Sequence, residues 1–167
     1  TVVIPNYNGM KYLAECMTSL CREQQNAPGY EVLIIDNASV DGSVEYLQKE
    51  WCGEGVRLIS LPENTGFCHA VNLGIREAKT PYVILLNNDT KAEAGFVRGL
   101  YDAIRENEKI FSVSAKMLMW DRPELIDDAG DRYCVLGWAY SRGKGRPAAD
   151  YDKSVPVFSA CGRAAIY

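Results

Sequence analysis

A carboxylate suited to metal binding is the first chemical feature of the sequence. The apolar, β-prone residues 82–86 are followed directly by Asn87, Asn88 and Asp89. Mg²⁺ and Mn²⁺ prefer oxygen ligands, and such ions are commonly held by one or two carboxylates together with substrate phosphates. Because this cluster contains a single carboxylate, we expect Asp89 to hold an ion weakly unless a phosphate shares it. The alternative is that residues 87–89 form only a turn and a helix N-cap.

Two further polar clusters follow predicted strands, at residues 5–8 and 36–43. The carboxyl ends of parallel strands share one edge of a sheet, and open α/β sheets bind their ligands at that edge. We therefore expect the three clusters to converge on one cleft. There Asp36 can accept hydrogen bonds from a base or a sugar hydroxyl, whereas Asp41 is also explained as the N-cap of the next helix.

A basic loop and a single histidine are the other candidates. Residues 142–146 read Arg-Gly-Lys-Gly-Arg, which favours either a solvated loop or contact with a phosphorylated substrate. His69 lies in the first turn of a predicted helix beside its apolar face, and a structural role is the simpler interpretation. The first strand is not followed by GxGxxG, and GxxxxGK[ST] is absent from the sequence, so a metal and side chains would have to meet any phosphates.

Composition narrows the class of protein. The chain has 167 residues, a net charge of −4 and 47% apolar residues, which suits one globular domain and argues against a basic nucleic-acid surface. No apolar run approaches the roughly 20 residues that span a bilayer. Six cysteines without CxxC spacing indicate small core residues of a reduced, cytoplasmic protein, with a disulfide or redox role as the alternative. The apolar sequences at both termini suggest a fragment of a longer protein.

Strands and helices alternate through the first 119 residues. Strands are predicted at residues 2–4, 31–35, 56–61 and 82–86, largely over 110–119, and at 155–160. The strongest helical periodicity runs from Phe67 to Ala78, with helices also after the first, second and fourth strands. A loop is predicted for residues 25–29, and irregular loops with a small β-ribbon for 121–152. The pattern predicts an α/β fold with a mainly parallel sheet flanked by helices.

Four segments together resemble family-2 glycosyltransferases, which have the GT-A fold. The segments are residues 2–9, 32–43, 64–75 and 85–90, the last in the place of the DxD motif. Residues 128–130, the basic loop and residues 159–162 are similar to the rhamnosyltransferase-like branch. The resemblance implies one nucleotide-sugar-binding domain over residues 1–167, truncated at its C-terminus. Residues 1–119 would be its nucleotide-binding half, and residues 120–167 the start of its acceptor half.

The resemblance also implies roles for individual residues. The nucleotide-binding set would be Pro5, Asn6, Tyr7, Asn8, Asp36, Asn37, Ser39, Asn64, Asn72, Asn87 and Asn88. Asp89 would hold Mn²⁺ or Mg²⁺, and Cys161 and Gly162 would approach the donor sugar or the acceptor. Asn87 replaces the first DxD carboxylate, and His69 stands where the family usually has a small residue. The catalytic base is expected beyond Tyr167.

The function implied is transfer of a sugar from a nucleotide-diphosphate donor to a hydroxyl acceptor with inversion. The donor would be a UDP- or dTDP-sugar, with rhamnose among the candidate sugars. The acceptor would be a saccharide or lipid-linked saccharide in bacterial cell-wall or surface polysaccharide synthesis. Sugar-phosphate nucleotidyl transfer and a non-catalytic nucleotide-sugar-binding module are the alternatives. No nucleic-acid partner and no transmembrane segment are expected, and a homodimer is an open alternative.

Overall fold

A six-stranded sheet forms the centre of the computed structural model, which describes residues 1–23, 29–53 and 55–167. The strands are β1 (Val2–Asn6), β2 (Val32–Asp36), β3 (Val56–Ser60), β4 (Ile84–Leu86), β5 (Val113–Ser114), β6 (Met117–Leu118), β7 (Ile126–Asp128), β8 (Asp131–Tyr133), β9 (Ala139–Ser141) and β10 (Ala164–Ile166). The helices are α1 (Met10–Glu23), α2 (Ser43–Glu50), α3 (Phe67–Glu77) and α4 (Phe96–Arg105), with a 3₁₀ turn at Ala148–Tyr151. The loop predicted for 25–29 lies largely outside the described residues.

The strand order in the main sheet is β3-β2-β1-β4-β10-β5. Strands β1 to β4 run parallel, as the alternation of strands and helices predicts. β10 runs antiparallel to both of its neighbours, β4 and β5. The sheet is therefore mixed but mostly parallel, and its one reversed strand comes from the last residues of the sequence.

The central strands are buried on both faces, which explains their continuous apolar runs. On one face, residues such as Ile4 and Ile34 pack with α1, α2 and α4. On the other face, Val3 and Leu33 pack with α3. Gly74 permits that helix to approach closely, because a Cβ atom there would lie 2.2 Å from Val3 Cγ1. The carboxyl ends of the strands are thus held by helices on both sides.

Strand β1 does not end before Pro5, contrary to the sequence-based expectation. Pro5 lies within β1 opposite Ile35, and the parallel pairing with β2 continues to Asn6. β4 pairs only with Val2 and Val3, so Pro5 occupies a part of β1 that has no ladder partner on that side. The extension matters because it carries Asn6 to the same level as Asp36.

Residues 117–163, here called the ribbon region, lie outside the main sheet. They contain the antiparallel pairs β6–β7 and β8–β9, so the predicted small β-ribbon is confirmed. The strand predicted for 155–160 is wrong, because the structure has only an isolated bridge there, between Ser159 and Asp131. Residues 110–119 form two short strands, β5 and β6, instead of one long one.

The cysteines match the core prediction at one position only. Cys16 is fully buried, and burial raises the pKa of its thiol to about 12. Cys52 and Cys68 are exposed and the other three are partly buried, so most of the six are not core residues. All six lie in the described part of the chain and are free thiols. Among the described helices, none has the length and apolar character required to cross a membrane.

Candidate functional site

Asn6, Asp36, Ser39 and Asn88 form a hydrogen-bonded group at the carboxyl edge of the sheet, here called the strand-end cluster. β1 ends at Asn6 and β2 at Asp36, and the parallel register places these two residues side by side. β4 ends two residues before Asn88. All three predicted polar clusters therefore contribute to one edge, as expected for parallel strands.

Asp36 is the buried centre of the strand-end cluster. Its side chain has no exposed surface, and Asn6 is 2% exposed. Asp36 Oδ1 accepts hydrogen bonds from Asn6 Nδ2 (2.7 Å) and Ser39 Oγ (2.6 Å), and Oδ2 accepts one from the Ser39 N–H (2.9 Å). These donors satisfy a carboxylate that would otherwise be costly to bury. Asp36 thus lies beneath the site and positions Asn6 and Ser39.

The loops after β1 and β2 are joined through Asn8 and Ser39. The Asn8 N–H donates to Ser39 Oγ (2.8 Å), and Asn8 Oδ1 accepts from the Val40 N–H (2.9 Å). Asn8 and Ala38 have positive φ angles of 50° and 63°. Asparagine tolerates this conformation, whereas it costs an alanine about 1 kcal/mol. The hydrogen bonds hold the backbone in this conformation at the edge where the predicted site lies.

Asp41 connects two helices instead of capping the one that follows it. Asp41 Oδ2 accepts from the Met10 N–H at the start of α1 (2.9 Å), and Oδ1 accepts from Ser43. The N-cap of α2 is Gly42, not Asp41. The slight burial of Asp41 acts to raise the pKa of its carboxyl group. The hydrogen bonds from Ser43 and Met10 outweigh this effect, so the pKa is lowered. Its carboxylate is therefore engaged in fixing both helix starts.

Asn37 and Asn64 form a second polar pair beside the strand-end cluster. Asn37 Nδ2 donates to Asn64 Oδ1 (2.8 Å), and Asn37 Oδ1 accepts from the Thr65 N–H (2.9 Å). Asn64 Oδ1 also accepts from the Gly66 N–H (2.9 Å), directly before α3. This pair ties the end of β2 to the start of α3. It brings two more of the predicted nucleotide-binding residues to the same edge.

The loop after β4 is docked on the strand-end cluster by Asn88. Asn88 Nδ2 donates to Asn6 Oδ1 at 2.6 Å. Gly9 leaves the room for this contact, because a Cβ atom there would lie 2.1 Å from Asn88 Nδ2. The helix-cap alternative for residues 87–89 is wrong, since α4 begins only at Phe96 with Gly95 as its N-cap.

Asp89 and Asn87 present oxygen atoms that fit a hard cation. Asp89 is exposed, and its carboxylate has no hydrogen bond or ion pair with any residue that the structure describes. Asn87 Oδ1 is buried and has no hydrogen-bond partner among those residues. No group of three or more His, Cys, Asp or Glu side chains suited to a metal ion occurs in the described ranges. This donor set fits an ion that takes its remaining ligands from a bound phosphate.

Arg163, Asp127 and Asp128, here called the ion cluster, connect the ribbon region to this loop. Arg163 donates from Nη1 to Asp127 Oδ2 (2.8 Å) and from Nη2 to Asp128 Oδ2 (2.9 Å). The Arg163 carbonyl accepts from the Asn87 N–H (2.9 Å), which places the turn containing Cys161 and Gly162 beside Asn87. Hydrogen bonding to Cys161 and to the carboxylates raises the pKa of Arg163, although partial burial opposes this.

The basic loop offers fewer free cations than its sequence suggests. The Arg142 guanidinium lies 4.6 Å from the centre of the Tyr151 ring, and Arg142 Nη1 donates to the Ala129 carbonyl. Lys144 forms an ion pair with Asp127 (2.9 Å). Only Arg146 has a side chain without a partner among the described residues. A phosphate clamp made of all three cations is therefore absent from the arrangement seen here.

Some predicted residues are not part of these networks. Tyr7 is 50% exposed near the strand-end cluster, and Asn72 is exposed on α3; neither side chain has a hydrogen bond to another described residue. His69 is also exposed, so it is not a core histidine. Sequence reasoning gave no role to Arg163, whose carboxylate partners lie 35 and 36 residues away in the chain. No local pattern in the sequence signals that pairing.

Comparison with known proteins gives one family and several curated relatives. The chain matches the profile of Glycosyl transferase family 2 over residues 1–153. It is 28% identical over 162 residues to glycosyltransferase GlyG of Streptococcus pneumoniae, covering 95% of this chain and 53% of that protein. It is 29% identical over 120 residues to the putative teichuronic acid biosynthesis glycosyltransferase TuaG of Bacillus subtilis, covering 71% and 47%. Identity to the teichoic acid poly(glycerol phosphate) polymerase of Staphylococcus epidermidis is 30% over 130 residues, covering 76% and 18%.

Solved structures with the same fold include two complexes with nucleotide sugars. S. aureus TarS 1–349 in complex with UDP-GlcNAc matches with a TM-score of 0.62 at 23% identity, covering 70% of this chain and 33% of that one. The mannosyltransferase PcManGT from Pyrobaculum calidifontis, in complex with GDP-Man and Mn²⁺, has the same TM-score and identity and covers 70% and 35%. These likenesses confirm the predicted GT-A type of fold. The chain spans about half or less of the proteins it matches.

Proposed function

Because the chain belongs to Glycosyl transferase family 2, we propose that it forms the donor-binding part of an enzyme that transfers a sugar from a nucleotide diphosphate to a hydroxyl acceptor. One observation carries the proposal. A buried network joins Asn6, Asp36 and Asn88 and leaves Asp89 exposed and unpaired at the same edge of the sheet. This edge is where open α/β sheets bind ligands.

Different residues at this edge would bind different parts of the donor. Asp89 and the unpartnered Asn87 Oδ1 would hold Mn²⁺ or Mg²⁺. When bound, such an ion neutralises charge on a departing diphosphate. Ser39 and Asn8 fix the loops that would meet the nucleotide, and Asp36 orients their hydrogen bonds from below. Exposed Tyr7 and Asn72 would contact the base or ribose at the rim.

The side of the site next to Arg163 would receive the sugar and the acceptor. The Asn87–Arg163 backbone hydrogen bond places Cys161 and Gly162 beside residues 87–89. A hydroxyl group becomes a good nucleophile when a positioned base removes its proton. We propose that this base follows Tyr167 in the full-length protein. We propose that the deprotonated hydroxyl oxygen would attack the anomeric carbon directly as the nucleotide diphosphate leaves. A single displacement of this kind inverts the configuration at that carbon.

The relatives and structural neighbours support the general class of substrates that we propose. TarS is in complex with UDP-GlcNAc and PcManGT with GDP-Man, so a nucleotide-diphosphate sugar suits this fold. The relatives named for teichoic and teichuronic acids support an acceptor in bacterial cell-wall synthesis. We propose a UDP- or dTDP-sugar donor, with rhamnose among the candidates, and a saccharide or lipid-linked saccharide acceptor. This chemistry would take place at the cytoplasmic face of the membrane.

Calorimetric titration tests the donor site. The 167-residue chain should bind at least one of UDP, dTDP and GDP more tightly with Mn²⁺ than without it. Asp89→Ala should weaken the Mn²⁺-dependent binding about tenfold or more and leave the melting temperature unchanged, because Asp89 is exposed and unpaired. Glu93→Ala is the matched control, since Glu93 is an exposed acidic residue four positions later.

Two outcomes would overturn this proposal. If the folded chain binds none of the three nucleotides with or without Mn²⁺, the edge is not a donor site. If Asp89→Ala leaves both the affinity and its Mn²⁺ dependence unchanged, the metal assignment fails, and a non-catalytic binding module gains support.

A further inference from the structure

The hairpin formed by β8 and β9 ends in an apolar tip that nothing in the described chain covers. Three side chains, here called the apolar tip, are exposed together: Val135 by 102%, Leu136 by 73% and Trp138 by 61%. Val40 and Phe111, by contrast, are exposed apolar residues with no other close to them in the sequence. Isolated exposed apolar residues are normal, whereas a cluster marks an interaction site.

The hairpin turn is well defined, so the tip has a fixed shape. The Cys134 N–H donates to the Trp138 carbonyl (3.0 Å), and the Gly137 N–H donates to the Cys134 carbonyl (3.0 Å). Gly137 has a φ of 99°, which glycine adopts without strain. The tip is therefore a hydrogen-bonded turn whose apolar side chains are exposed.

The base of the hairpin is supported on one face only. Tyr133 stacks on Phe158 with ring centres 5.0 Å apart, and Asp131 Oδ2 accepts from Ser159 Oγ (2.8 Å). Arg132 and Tyr140 are a directly opposed pair whose side chains point to the other face, because neighbouring residues in a strand alternate. The hairpin thus projects away from its support, with the tip at its free end.

Positive charge is concentrated in and beside the hairpin. Residues 131–146 carry four basic side chains and one acidic one, a net charge of +3, although the whole chain has a net charge of −4. The acidic residue is Asp131, which is engaged by Ser159. The side chains of Arg132 and Arg146 have no partner among the described residues. Lys144 is paired with Asp127, and Arg142 is engaged by Ala129 and Tyr151. Arg132 and Arg146 are therefore the two cations near the apolar tip that remain for an anionic surface.

We propose that this hairpin attaches the protein to an anionic lipid surface. At about 3.3 Å per residue, roughly 10 Å separates Val135 from Arg132, and roughly 13 Å separates Trp138 from Arg142 at the start of the basic loop. Interfacial elements insert their apolar side chains about 5–10 Å into a membrane and keep cations at the anionic headgroups. Tyr133 and Tyr140, each about half exposed, lie between these two levels, where aromatic rings are favoured.

The high exposure of all three tip side chains favours lipid over a protein partner. A protein partner could bury all three side chains only if it had a cavity of matching shape. Fluid lipid can surround them without any specific complementary surface. The inference goes beyond the proposed function, because the residues involved are separate from the strand-end cluster and from Asp89.

Vesicle co-sedimentation and tryptophan fluorescence test the inference on the 167-residue chain. Vesicles of phosphatidylglycerol and phosphatidylcholine in equal parts should bind the chain at least tenfold more tightly than phosphatidylcholine alone. Binding should shift the tryptophan emission of the chain, to which Trp51, Trp120 and Trp138 contribute, to shorter wavelength, and it should weaken in high salt. The double variant Val135→Ser/Leu136→Ser keeps the tryptophan and should lose at least tenfold in affinity.

Matched variants separate the apolar and electrostatic parts. Phe111→Ser removes an equally exposed apolar side chain outside the ribbon region and should leave vesicle binding unchanged. Arg132→Gln/Arg146→Gln should remove most of the preference for anionic lipid without lowering the melting temperature, since neither side chain has a described partner. UDP binding, measured in parallel, should be the same in all variants, so failure of the donor site is seen separately.

Three results would overturn the proposal. One is a folded chain that binds neither type of vesicle. Another is an affinity that the tip variant does not change, or that Phe111→Ser lowers equally. The third is a concentration-dependent dimer, detected by analytical ultracentrifugation and lost in the tip variant, without vesicle binding; the tip would then belong to an interface between two copies of the chain.

Discussion

The strand-end cluster and the ion cluster are both linked to the loop after β4, the first through Asn88 and the second through the Asn87–Arg163 backbone hydrogen bond, but they are built from different chemistry. The strand-end cluster uses amide and hydroxyl groups around one buried carboxylate, Asp36, at the ends of strands packed on both faces. The ion cluster uses Arg163 between two carboxylates, in a region of short strands. The Arg163 side chain is 36% exposed, whereas Asp128 is 1% exposed.

The two clusters are held in shape by interactions that respond differently to solution conditions. Salt has little effect on hydrogen bonds of a fully buried group such as Asp36, so the strand-end cluster should keep its shape at any ionic strength. Ion pairs that water reaches are screened by salt. The ion cluster should therefore respond to salt concentrations under which the strand-end cluster does not change.

Removing the carboxylate at the centre of the strand-end cluster should have the largest effect. Asp36→Ala leaves Asn6 Nδ2 and the Ser39 N–H and hydroxyl without their acceptor in a buried place. The expected loss in free energy of unfolding is about 3 kcal/mol. Urea denaturation measures it, with Glu63→Ala at an exposed position as the control. A loss below about 1 kcal/mol would contradict the view that this network is the rigid side.

Breaking the ion cluster should have an intermediate effect. Asp128→Asn keeps the side-chain shape but removes one of the two charges that Arg163 contacts. Because Arg163 is partly exposed, we expect a loss of about 2 kcal/mol instead of the 3–5 kcal/mol typical of fully buried pairs. Raising the salt concentration to about 1 M should reduce the difference in free energy of unfolding between Asp128→Asn and the wild type. Asp152→Asn, in an exposed pair with Lys116, should cost less than about 0.5 kcal/mol.

The smallest expected effect is a pH dependence that comes from Asp127. Partial burial acts to raise the pKa of Asp127, but Lys144 and Arg163 outweigh this effect and lower the pKa below its usual 3.8. Its ion pairs therefore stabilise the fold above about pH 4, and this contribution is lost as the pH falls through the lowered value. In urea denaturation between pH 6 and 3, Asp127→Asn should reduce the acid sensitivity by less than about 1 kcal/mol. An unchanged pH profile would show that these ion pairs contribute nothing to stability.

Local sequence patterns predicted the position of the strand-end cluster well. The runs before Asn6, Asp36 and Asn87 end at polar residues, and strands with short connections to helices place those ends on one edge. The clear periodicity from Phe67 onward corresponds to α3. These features depend on contacts within βαβ units, which repeat in a regular way. That regularity predicted that Asn6 and Asn88, 82 residues apart, lie at one edge, but not the hydrogen bond between them.

Residues 117–167 were less predictable because their contacts follow no repeat. Residues 155–160 have the composition of a strand, but it is residues 164–166 that enter the sheet between β4 and β5. Pro156 lacks an N–H group, which disfavours that segment as a central strand. The partners of Arg163 come from β7, and nothing near Arg163 in the sequence specifies them. Tertiary packing decides these positions.

The place of β10 in the sheet also has a consequence for how the protein is made. Ile166 pairs with Ile84, so the strand that carries residues 87–89 lacks its second neighbour until the ribosome has released about 80 further residues. During that interval the hydrogen-bonding edge of β4 is open to other chains. We therefore expect nascent chains to depend most on chaperones while the ribosome is synthesising the ribbon region. At that stage β4 is complete, but β10, which covers its open edge, has not yet been made.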